Sequence, residues 1–179
     1  MNTGGYLQTM FRLAAATAIA FSLTLAASAQ TTPPATEDTG LEAGLVKAMR
    51  LNADRDGRLT GSGEGIRPYI TAGYVRVKPE LREDYTDYRV VRKPAKLFGQ
   101  ELLVIEEEYQ LKFIGCCVSE GIGAILRVAA DLAPLKEFAA ANGCTLSKDD
   151  IVDRLRKLKL NTTGELLAVS CRERDQPQR

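Results

Sequence analysis

Four cysteines, Cys116, Cys117, Cys144 and Cys171, stand in the second half of a chain that opens on an export-like segment. In an oxidising compartment an even set of cysteines reads as disulfides. Such cross-links restrict the chain to folds that bring the paired positions close together. The other cysteine chemistries lack their partners. No Cys-x-x-Cys spacing occurs for a thioredoxin-like centre or a structural zinc site. The chain contains no histidine to serve as the base of a nucleophilic cysteine.

The export segment is read from its three parts. A single charge, Arg12, precedes an almost wholly apolar run from Leu13 to Ala27, and Ala27-Ser28-Ala29 offers the small-x-small pattern of a cleavage site. Residues 1–29 are therefore expected to be a signal peptide, with Gln30 as the new N-terminus. Residues 30–38, with Pro33-Pro34, read as a flexible leader, residues 39–171 as a single domain and residues 172–179 as a charged tail. No later stretch is apolar enough for a transmembrane segment. The expected location is periplasmic or secreted. Across the chain 24 basic residues face 23 acidic ones, so general electrostatic capture of nucleic acid is not expected.

Apolar spacing predicts a helix from about Asp38 to Leu51, carried by Leu41, Leu45, Ala48 and Met49. Strand formers cluster between Ile66 and Lys78, notably Tyr74 to Lys78, and again at Tyr88–Arg92, Leu102–Ile105, Leu111–Val118 and Ala124–Val128. Glu101 to Phe113 also fits a helical face, but its Val, Ile, Tyr and Phe favour a strand. Phe98-Gly99-Gln100 reads as a turn, as do the glycines at 121 and 123. A helix is expected between Asp131 and Gly143. A second opens at Ser147, with Ile151, Val152, Leu155 and Leu158 as its buried stripe, and a last strand runs from Leu166 to Cys171. The order implies an α+β fold: a mostly antiparallel sheet packed with an N-terminal helix and two C-terminal helices, stapled by disulfides.

If Cys116 and Cys117 lie on a strand, they face opposite ways and need different partners. Two pairings follow, 116–144 with 117–171 or 116–171 with 117–144. A vicinal bond would strain the intervening peptide.

Three further segments carry chemistry. Asn52-Ala53-Asp54-Arg55-Asp56-Gly57-Arg58-Leu59 resembles the first half of an EF-hand calcium loop, with Asn52, Asp54 and Asp56 as alternating oxygen ligands and Arg58 offering its backbone carbonyl. It departs from that pattern at its twelfth position, Gly63, with the acid one residue late at Glu64. Ca2+ is the only cofactor this implies. Between Arg67 and Lys96 basic residues outnumber acidic ones two to one, interleaved with Tyr69, Tyr74, Tyr85 and Tyr88. These bases either serve an anionic partner or pair across strands with Glu106-Glu107-Glu108. The glutamates themselves are the raw material for a hydrolase with carboxylate chemistry, although only 106 and 108 share a strand face. Taken together, the residues point to a small exported protein that acts by binding another envelope protein or an envelope polymer. The alternatives are a calcium-binding version of that module and a hydrolase.

Overall fold

The computed structural model describes residues 38–109 and 118–176. The expected signal peptide, most of the leader, Cys116, Cys117, nearly all of the predicted strand over 111–118 and the last three residues of the tail lie outside the described residues. Among the described residues the fold is mixed α+β, with four helices and a seven-stranded sheet whose pairings are all antiparallel.

Two helices come first, α1 (Asp38–Met49) and α2 (Ser62–Thr71). The sheet begins with β1 (Leu81–Glu83) and β2 (Thr86–Val90), followed by β3 (Lys96–Leu97), β4 (Gln100–Glu108) and β5 (Gly121–Arg127). Then come α3 (Ala133–Ala141), β6 (Thr145–Ser147), α4 (Ile151–Lys157) and β7 (Leu166–Arg172), closed by a 3-10 turn at Glu173–Asp175. In space the strands run β1-β2-β4-β5-β7-β6, with β3 also on β4. Both short hairpins use a two-residue turn with positive φ at each centre, Asp84 and Tyr85 in one, Phe98 and Gly99 in the other. That geometry matches the twist of the flanking strands.

Helices cover both faces of the sheet. On the first face Ile105, Ile122, Ala124, Leu126, Val169 and Cys171 meet Leu45 and Met49 of α1, Ile66 and Tyr69 of α2, and Leu135 and Phe138 of α3. On the second, Val104 and Ile125 meet Ile151 and Leu155 of α4, with Leu158 just beyond it. A central strand covered on both sides buries successive residues, which is why β5 is nearly continuously apolar. Gln100, fully buried beside this core, is satisfied by four main-chain partners: it donates to Phe98 and Asp131 and accepts from Ala129 and Ala130.

Several expectations are corrected. The segment from Ile66 is not a strand. It belongs to α2, whose Gly65, Ile66 and Tyr69 are buried at helical spacing despite Pro68 within it. Tyr74–Lys78 forms no strand either. Gly121 and Gly123 do not mark a turn but lie in β5. Val152 is 65 % exposed and leaves the stripe of α4, which starts at Ile151 rather than Ser147. Arg172, expected to open the charged tail, is buried at the end of β7. Among the described residues two helices, not one, precede the sheet. The ambiguous stretch from Glu101 is strand through Glu108.

Candidate functional site

The Asn52–Arg58 loop folds back on itself between α1 and α2. Leu51 and Arg58 bridge antiparallel, and the Asn52 N–H donates to the Gly57 carbonyl at 2.9 Å. The Asn52 amide donates to Asp56 Oδ1 at 2.7 Å, while Asn52 Oδ1 accepts the Asp56 N–H at 3.2 Å. Oxygens of Asn52 and Asp56 are thus already used to shape the turn. Among the described residues no group of three or more His, Cys, Asp or Glu is placed to hold a metal ion.

The loop's cations have a structural task that its sequence does not announce. The Arg58 guanidinium donates to the carbonyls of Met49 (2.9 Å), Asn142 (2.6 Å), Gly143 (3.2 Å) and Arg172 (3.0 Å). Arg55 donates to Ala141 at 3.1 Å, and the Leu51 N–H donates to Asn142 Oδ1. The last carbonyls of a helix lack partners within it and carry its negative dipole end, so cationic donors suit them. Arg55 and Arg58 therefore bolt the loop onto the C-terminal end of α3. Burial pulls the Arg58 pKa below its ordinary value, against the attraction of Asp175 and Glu173.

Beside this bolt the structure joins Cys144 to Cys171. This bond overturns both pairings expected from the sequence, each of which needed Cys144 and Cys171 to bond to Cys116 or Cys117. The reason lies in the topology. β6, immediately after α3, pairs with β7 at the sheet edge, so Cys144 arrives opposite Cys171.

The three glutamates at the end of β4 divide between the faces as their alternation requires. Glu106 and Glu108 turn to the second face, where both are 3 % exposed. Glu106 Oε1 accepts from Arg154 and its Oε2 from Arg172, each at 2.8 Å. Glu108 Oε1 accepts the Ser119 N–H and its Oε2 accepts from Arg174 at 2.9 Å, with Arg172 Nε 3.2 Å away. Asp175 caps the group, accepting from Ser170 and from the Arg172 N–H. Gly123 is what makes the arrangement possible. A Cβ there would stand 2.8 Å from Glu106 Oε2 and 3.2 Å from Arg172 Nη2. Tyr88 lies beneath Arg154, its ring centroid 5.7 Å from the guanidinium carbon. Burial, then the charge of Glu106, raises its pKa.

On the first face Asp87, 1 % exposed, is held by Arg82 through both its oxygens and by Arg89 at 3.0 Å. Tyr109 contacts both Arg82 and Asp87. Glu107 accepts from Ser62 of α2 and lies 3.6 Å from Arg89. Among the described residues the ion pair between the basic segment and the glutamate run is that of Arg89 with Glu107. Arg154, Arg172 and Arg174, which satisfy Glu106 and Glu108, come from the C-terminal elements. Sequence reasoning missed them and Gly123. The one available signal was that Arg172 and Arg174 alternate as Glu106 and Glu108 do.

No protein-family model matches the chain, and neither the curated proteins nor the solved structures contain a significant match.

Proposed function

We propose that the chain is an exported binding module of the cell envelope, periplasmic or secreted, whose buried charges stabilise its fold rather than catalyse. The observation that carries this reading is the occupancy of the glutamates. A hydrolase of the carboxylate type needs one group free to donate a proton and another free to receive one or to attack. Both oxygens of Glu106 and both oxygens of Glu108 already accept hydrogen bonds, and both side chains are buried. In-cell cross-linking of the mature protein in its native envelope tests the reading. It should trap the same partner in repeated preparations. Release of product from an envelope polymer by the purified protein, with no partner trapped, would sink it.

A second reading, a calcium-dependent form of the same module, is favoured by one further observation. The Asn52–Asp56 loop lies between two helices packed side by side, α1 and α2, so closely that a Cβ on Gly65 would come within 2.9 Å of the Ala48 methyl. A helix–loop–helix frame is what calcium loops of this type require. Millimolar calcium should then raise the melting temperature, and Asp54→Ala with Asp56→Ala should abolish the rise. An unchanged melting temperature in the unmodified protein removes this reading.

A further inference from the structure

The segment between α2 and β1 buries Val75 and packs Tyr74 against the core, and then turns the side chains of residues 76–78 outward. The Tyr69 carbonyl accepts from the N–H groups of Tyr74 and Val75, and the Arg92 N–H donates to the Tyr74 carbonyl at 2.8 Å. Buried Arg89 donates to the carbonyls of Arg76 (3.0 Å) and Val77 (2.6 Å). An arginine anchored on Asp87 thus pins the segment at its tip. Out of this frame project Arg76, Val77 and Lys78. The valine is 76 % exposed, the most exposed large apolar side chain among the described residues.

More cations border the same segment. Arg92 shares Glu80 with Arg76, at 2.7 and 3.8 Å. Lys93 stands over the Tyr74 ring and donates to the Ala72 carbonyl. Arg67, with Pro68, Thr71 and Ala72, lines a shallow and mostly apolar depression on α2. The depression and the segment also carry Glu64 and Glu80, and Glu80 is spent on Arg92 and the Val90 N–H. Arg67 and Lys78 make no ion pair among the described residues.

We propose that this face, bounded by Arg67, Arg76, Val77, Lys78, Arg92 and Lys93, docks an acidic, extended segment of another protein in which acidic and aliphatic residues alternate. The proposal rests on the binding-module reading and specifies its partner. Charge complementarity sets the sign of the ligand, and arginine forks match carboxylates in two-point contacts. The apolar elements choose between anionic partners. Val77 and the depression beside Pro68 and Ala72 can take aliphatic side chains, which an anionic glycan lacks. Because the segment is already pinned by Arg89, little ordering cost remains on this side of the interface.

The test titrates the isotope-labelled protein with a short synthetic peptide of alternating glutamate and leucine, monitored by backbone amide shifts. Perturbations should centre on Ala72, Val77 and Arg92, and binding should weaken with added salt. Arg76→Glu combined with Lys78→Glu should reduce affinity by about tenfold or more, and Val77→Asp alone should also weaken it, with the amide spectrum of each variant showing the fold retained. An all-glutamate peptide should bind more weakly. Perturbations elsewhere, equal binding of the all-glutamate peptide, or binding only to phosphatidylglycerol vesicles would overturn the proposal. A cross-linked envelope partner whose capture ignores the Arg76→Glu, Lys78→Glu variant would also overturn it while leaving the binding-module reading in place.

Discussion

Cys144 and Cys171 stand directly opposite each other across the edge of the sheet, one step beyond the Thr145–Ser170 pair of β6 and β7, with their Cα atoms 4.3 Å apart. A close antiparallel pair of this kind brings two sulfurs within bonding reach without moving the backbone. Arg58 Nη1 lies 4.0 Å from the Cys144 sulfur, so the covalent staple and the arginine bolt act on the same corner, where α1, α3 and β7 converge.

Removing the staple should therefore cost stability. The bond closes a loop across 27 positions of sequence, and loop-closure entropy for that length corresponds to about 3–4 kcal/mol. Denaturant unfolding of Cys144→Ser with Cys171→Ser should show a loss of that order. Non-reducing peptide mapping should recover a 144–171 linked peptide, and a map joining either residue to Cys116 or Cys117 would contradict the structure.

Arg58 should matter out of proportion to its place in a polar loop. Arg58→Met abandons four main-chain carbonyls and is expected to lower stability by roughly 2–4 kcal/mol. Arg58→Lys should recover only part, since an ammonium group cannot span the fork of acceptors that a guanidinium reaches. Equal stability of the lysine variant and the unmodified protein would argue against the bolt.

The Glu106–Arg172 pair yields a paired prediction. Removing one partner of a buried ion pair leaves the other uncompensated, so Glu106→Ala should cost about 3–5 kcal/mol. Gly123→Ala touches neither charge, yet it forces a methyl group against both and should cost roughly 1–3 kcal/mol. Combined, the two variants should lose less than their sum, because removing the Glu106 carboxylate relieves the tightest of the methyl's contacts, leaving those with Arg172 and the Val169 carbonyl. Strict additivity would mean that the glycine serves some other purpose.

How far the sequence speaks depends on whether a signal is local. α1, the hairpin at Phe98-Gly99, β4, β5, α3 and β7 follow from apolar periodicity and turn residues within each segment. α2 was hidden because its β-branched and aromatic residues, Ile66, Tyr69 and Ile70, mimic a strand and Pro68 seems to forbid a helix. Its burial comes from packing on α1 through Gly65, a contact between segments that no window shows. The disulfide was misassigned for the same reason. That Cys144 and Cys171 face each other follows from β6 pairing with β7, a contact between segments that no local pattern announces. The charge clusters were least legible, since Glu106 and Glu108 draw their arginines from positions 48 to 66 residues away.

Glu80 supplies the pH dependence. Burial pushes its pKa up, but hydrogen bonds from Arg92 and the Val90 N–H, together with the charge of Arg92, outweigh burial and hold it below the usual carboxylate value. A carboxyl group whose pKa is lower in the folded state than in the unfolded one binds protons more readily when unfolded. Its contribution to stability is therefore fully present above the unfolded pKa, about 4.3, and is lost as pH falls through the folded value. Glu80→Gln should be less stable than the unmodified protein at neutral pH, and the difference should shrink as pH drops below about 4. Chemical denaturation of the two proteins across that range measures it directly. A stability gap that stays constant down to low pH would show that the Glu80 charge contributes nothing beyond its shape, and that Arg76 and Arg92 are held in place by other means.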